Sequence, residues 1–345
     1  MRGLIRYNKI EYARVRGGKS DMTEAERAMR RTANRTGGAL LFFTGLFWLF
    51  QLVLLLTSRL TDGWDPMPAT VLYELVTAAG YATVFLAAAF FFRLLCSADH
   101  YEPLRARFSL PRHLWAYLFL ALSLNLVFAV ANAYLVEPFH YSSFMEDVTS
   151  TPATNYEIVL ALLTTAVVPA FVEELLFRGV ILNNLMPYGR DTAIVLSALA
   201  FGLMHQNAGQ FLYTTVTGLV LGYVFVVSGN IWAGVLIHFV NNALSVLWDV
   251  LEDRLPKSVS NPVIYAVETA MLLAGAAAFL YLLTRRDRPD LSAKEIPELP
   301  GTPVATGTRV RLFLTSPTVI VFMVISGLEM IAYLFLAVVW GAFHG

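Results

Sequence analysis

Runs of about twenty apolar residues recur along this chain, each long enough to cross roughly 30 Å of hydrocarbon. No water is present at that depth to satisfy backbone N–H and C=O groups, so only helices or closed barrels can span it. The runs point to an all-α, polytopic transmembrane helix bundle of about nine spans, at residues 38–58, 71–95, 113–136, 157–182, 192–208, 211–228, 231–251, 262–284 and 317–342. Composition agrees: 57% of the residues are hydrophobic and 14% charged, with a mean hydropathy of +0.60, where a soluble domain carries about a quarter charged residues. The zero formal charge gives no basic surface for nucleic acid. The single cysteine, Cys96, excludes an internal disulfide framework and a cysteine-rich zinc site. The first apolar run starts near Gly38 after a long charged segment. It has neither the short n-region nor the cleavage site of a signal peptide and reads as a retained span.

Four regions follow. Residues 1–36 form a basic cytoplasmic segment in which Thr23–Arg31 carries a capping-box start, suiting either a short interfacial helix or a positive orientation signal. Residues 37–156 hold the N-terminal spans, 157–251 a central core of spans, and 252–345 the C-terminal spans with a Pro/Thr/Gly-rich linker loop at 285–316. Lys and Arg concentrate in alternate connectors: the N-terminus, Arg93–Arg112, Arg178 with Arg190, and Arg285–Arg288. The connector from Glu137 to Glu157 has none. By the positive-inside rule the chain is a multi-pass cell-membrane protein with its N-terminus cytoplasmic and its C-terminus outside.

Ionisable groups within hydrocarbon are costly and mark function by default. The fourth span holds Glu173, Glu174 and Arg178. Glu174 and Arg178 are four apart and can pair on one helix face, whereas Glu173 points about 100° away and is left to face something else. Pro169, four residues before Glu173, releases a carbonyl and is expected to kink the helix and open a wet pocket. Phe201 and His205 are four apart in span five, and His238 and Asn242 four apart in span seven. These groups suit peptide-bond hydrolysis. A desolvated glutamate acts as general base, a neutral histidine shares the water, and a His–Asn pair donates to the oxyanion. The alternative is metal-centred: Glu173, His205 and His238 ligate a divalent ion such as zinc, which activates the water. No H-E-x-x-H occurs, so such ligands would have to come from three helices. Asn125, Asn132, Gln51, Glu74 and Glu268 read as helix–helix hydrogen-bonding groups, while Glu329 lies mid-span with no obvious partner.

In order along the chain stand Glu173-Glu174-x-x-x-Arg178, Phe201-x-x-x-His205 and His238-x-x-x-Asn242. This arrangement resembles the CPBP (Abi) family, which is related to type II CAAX prenyl endopeptidases, over roughly residues 155–251. The resemblance implies an intramembrane endopeptidase acting on a membrane-associated or lipidated peptide in the bilayer. It implies Glu173 as base, His205 as its partner, His238 with Asn242 at the oxyanion, and Glu174 with Arg178 as structural support. Both metal-dependent and metal-free chemistry are described for the family. Two other functions compete: a non-catalytic scaffold or bacteriocin-immunity protein, and a proton-coupled transporter, for which the halves lack the expected repeat symmetry. Helix geometry adds an expectation. His205 lies about 20 Å along its span and His238 only about 10–12 Å along its own, so the fifth helix should start well after Asp191 for the two to meet.

Overall fold

The computed structural model describes residues 22–96, 102–104, 108, 110–148, 154–285 and 304–344. Among them are helices and no strand: α1 (Glu24–Leu60), α2 (Pro66–Leu95), α3 (Leu114–Val136), α4 (Tyr141–Val148), α5 (Asn155–Tyr188), α6 (Arg190–Met204), α7 (Ala208–Ser228), α8 (Trp232–Arg254), α9 (Lys257–Thr284), α10 (Thr306–Leu314) and α11 (Pro317–His344). The chain is an all-α polytopic bundle. Eight helices among the described residues are long and apolar enough to cross a membrane. The ninth expected span, α6, has 15 residues, about 22 Å of helix. A three-residue turn joins it to α7 and the two pack along each other. Together they return the chain to the face from which α6 set out.

The capping box forms: Glu26 N–H donates to the Thr23 hydroxyl, and Thr23 N–H to the Glu26 carboxylate. It opens the full 37-residue α1 rather than a separate interfacial helix: no proline intervenes, and the Gly37-Gly38 pair stays helical with Gly37 packed against α11. The basic residues Arg2 to Lys19 lie outside the described residues. The 285–316 segment also departs from expectation. Its residues 306–314 form α10, which buries Leu312 and Phe313 in the main core. The Pro/Gly content that reads as linker stops short of that amphipathic TRVRLFL stretch.

α1 packs on α2 and α11, and α3 on α7 and α9. A Cβ at Gly37 would lie 2.5 Å from Val319 N, so small size lets α1 and α11 approach closely. Across the same contact Trp48 Nε1 donates to Glu329 at 2.5 Å, giving that carboxylate the partner the sequence did not reveal. Trp48, Leu49, Leu52, Leu55 and Leu56 are exposed on α1, as a lipid-facing surface requires. α5 lies between α2, α6 and α8, and this position brings the motif residues together.

Candidate active site

α5 is not one regular helix. Its turns widen to π-helical geometry at Leu162–Val167 and again at Leu175–Leu182, flanking the Val168–Glu174 segment that carries both glutamates. π-Turns accompany functional sites in helices because they re-aim side chains. The first ends just before Pro169, which lacks an N–H to offer the Thr165 carbonyl four residues earlier. Asn242 Nδ2 supplies the missing hydrogen bond at 3.0 Å from α8. The expected release of a carbonyl thus has a physical destination, and one amide N–H of Asn242 is spent on it.

Glu174 and Arg178 pair as expected: Arg178 Nη1 donates to Glu174 Oε1 at 2.7 Å, with Glu174 0% and Arg178 1% exposed. Arg178 Nη2 donates to the Gly218 carbonyl at 3.2 Å, and the guanidinium lies 4.5 Å from the Phe201 ring centre. His238 joins this pair, with Nδ1 3.1 Å from the same Glu174 oxygen. A carboxylate only accepts, so that nitrogen carries the proton and Nε2 points elsewhere. Nε2 lies 3.8 Å from Glu173 Oε2. One ring therefore bridges two glutamates that helix geometry directs apart.

Glu173 is 3% exposed. Its Oε1 accepts from the Tyr81 hydroxyl at 2.5 Å, while Oε2 has no hydrogen bond. Sequence reasoning missed Tyr81. It lies on α2 with no motif around it, and spacing does not say which span will neighbour α5. Gly234 was missed too, though it sits one turn before His238 on the same face. A Cβ there would come within 2.6 Å of Glu174 Oε2. That carboxylate is pinned by Arg178 and His238, so it cannot swing aside cheaply. Overpacking costs about 1–3 kcal/mol and exceeds the roughly 1 kcal/mol that alanine gains over glycine in a helix. Gly234→Ala is expected to lower the thermal midpoint in detergent, whereas Gly327→Ala, with open space around it, is expected to raise it. Equal shifts would overturn this account of Gly234.

His205 is the C-cap of α6. The late helix start expected for this span is not found, since α6 begins at Arg190, directly after Gly189. Side chains close the gap instead. The His205 ring folds back so that Nδ1 donates to the Phe201 carbonyl at 2.8 Å, edge-on to the Phe201 ring at 5.0 Å. Phe201 in turn meets His238 edge-on at 6.0 Å. Two neighbours clamp the turn that follows. Gln206, at φ 53°, donates to the Thr44 hydroxyl at 3.3 Å, and Asn207 caps α7 while accepting from Tyr141. Asn132 also holds this turn, through Ala208 O and Leu212 N, as a helix–helix hydrogen-bonding group should.

Glu173, His205, His238 and Asn242 all line one cavity of about 300 Å³, together with Tyr81, Pro169 and a series of hydroxyl and amide side chains. Glu174 and Arg178 sit behind it. The donor types would suit zinc, and each histidine has its other nitrogen engaged as metal ligands usually do. However, no three His, Cys, Asp or Glu side chains among the described residues are gathered to hold a metal ion.

Residues 155–244 match the family model described as type II CAAX prenyl endopeptidase Rce1-like. Comparison with curated proteins and with solved structures gives no match. The matched segment covers about a quarter of the chain and contains every motif residue above, while Tyr81 lies outside it. Over this segment the chain is similar to the type II CAAX prenyl endopeptidases that the family model describes.

Proposed function

We propose that this multi-pass membrane protein is an intramembrane endopeptidase that hydrolyses a membrane-associated or lipidated peptide near the cytoplasmic face, with water activated by Glu173. The observation that carries the reading is the state of Glu173 in the wall of a polar chamber: one oxygen is held by Tyr81, and the other is buried without a hydrogen bond, 3.8 Å from His238 Nε2. In the reaction, a water in the chamber gives a proton to Glu173 Oε2 as its oxygen attacks the scissile carbonyl. His205 Nε2, bare because Nδ1 holds the proton, accepts from the same water and orients it. The oxyanion takes hydrogen bonds from the remaining Asn242 amide N–H and from His238 Nε2, which must carry a proton to donate, while Glu174 holds the ring at Nδ1. Glu173 then passes its proton to the leaving amine. Glu174 and Arg178 act through His238 by fixing its ring. The Lys/Arg bias supports a cytoplasmic N-terminus, and nine crossings would put the C-terminus outside.

Tyr81 is the positioning residue for the base. A hydrogen bond to a charged group contributes about 1.5–3 kcal/mol, so Tyr81→Phe is expected to slow cleavage roughly ten- to a hundred-fold with the fold retained. Unchanged turnover would remove Tyr81 from the mechanism. The function itself is tested by comparing new peptide termini in membranes expressing wild type and Glu173→Gln at equal abundance. Termini produced only by wild type are expected and would name the substrate. Identical termini would sink the endopeptidase reading and favour a binding or immunity role.

A further inference from the structure

Two polar stripes wall the chamber, and the reaction uses only part of one. On α7 the lining residues are Gln210, Tyr213, Thr214 and Thr217; on α8 they are His238, Asn241, Asn242 and Ser245. Both sets fall at i, i+3, i+4 and i+7, a single helix face, within helices whose best windows average hydropathies of 1.8 and 1.4. Seven residues of helix run about 10 Å, and an extended chain covers that length in about three residues. The α7 stripe also holds uncommitted hydrogen-bonding groups. Among the described residues the Gln210 carboxamide and the Tyr213 hydroxyl make no side-chain hydrogen bond. Asn125, which also lines the cavity, accepts from Thr217 at 2.8 Å, and its amide N–H groups make no hydrogen bond among the described residues. No Lys, Arg or Asp lines the chamber.

These features select a ligand. An extended backbone in apolar surroundings carries N–H and C=O groups that must be satisfied, and free neutral donors and acceptors satisfy them. An acidic side chain would meet no counter-ion, and a basic one would meet only Glu173, the group that must take the proton from water. An isoprenoid chain would displace water from these polar groups without replacing its hydrogen bonds.

We propose that the α7 stripe, with Asn125, is a subsite for about three extended substrate residues beside the scissile bond, bearing uncharged polar or small side chains. An isoprenoid group, where a substrate carries one, stays outside the chamber. This rests on the endopeptidase reading and narrows its substrate class.

The test uses the full chain carrying Glu173→Gln in lipid nanodiscs, so that binding is read without turnover. Three fluorescent membrane-spanning peptides are compared: one with a central Gly-Asn-Ser, one all-Leu, and one with a central farnesylated cysteine. Gly-Asn-Ser is expected to bind about tenfold tighter than all-Leu, and the farnesylated peptide no tighter than all-Leu. Adding Tyr213→Phe, which keeps the shape of the wall, or Gln210→Leu is expected to erase most of that preference. A tighter farnesylated peptide, no preference, or a preference unaltered by both substitutions would overturn the proposal. Cleavage of the same peptides by wild type is read separately. Preference without cleavage upholds the subsite and overturns the endopeptidase reading; cleavage without preference does the reverse.

Discussion

Glu173→Gln is expected to leave the bundle folded and to lower cleavage by roughly a hundred- to ten-thousand-fold, the usual contribution of a positioned general base. The substitution is nearly isosteric. Its amide oxygen still accepts from Tyr81, and its NH₂ takes the place of the unpartnered Oε2. Only the capacity to take a proton from water is lost. Turnover per folded molecule, with the thermal midpoint measured on the same preparation, separates chemistry from stability. A variant within tenfold of wild type would mean that another group activates the water.

Arg178→Ala is expected to act in the opposite way, through stability. Removing one partner of a buried pair leaves an uncompensated charge and costs about 3–5 kcal/mol, a large share of the roughly 5–15 kcal/mol that holds a domain folded. Here the charge left behind is Glu174, 0% exposed and retaining only His238. The hydrogen bond to Gly218 O and the contact with Phe201 go as well. Arg178→Lys keeps the charge but not the planar fork that reaches Glu174 and Gly218 together, and should fall between. Unfolding free energies in mixed micelles give the order wild type, lysine, alanine. An alanine variant as stable as wild type would show that the pair makes no net contribution.

Much of this architecture is written locally. Apolar runs of membrane-spanning length mark the helices, and the four-residue offset of Glu174 and Arg178 foretells their 2.7 Å contact. The pairings of Phe201 with His205 and of His238 with Asn242 place the right groups on the right faces. What stays hidden is whatever depends on which helices become neighbours. Tyr81 reaches Glu173 across 92 residues of sequence, and Trp48 reaches Glu329 across 281; no periodicity encodes either. The π-turns are hidden because propensity does not distinguish a widened turn from a regular one. Counting rise along helix axes calls for a late helix start because it ignores how far rings reach; Phe201 packs edge-on against both His238 and the folded-back His205 imidazole without one.

The site draws Tyr81, Glu173, His205 and His238 from four helices, and the last of these emerges from the ribosome well after the others. A chain threaded into the membrane only through α7 holds its base and one histidine but lacks His238 and Asn242. On the proposed function, hydrolytic power arises only with the docking of α8 against α5. A stalled or truncated nascent chain would then be inert toward its neighbours in the bilayer, made safe by the order of its own assembly.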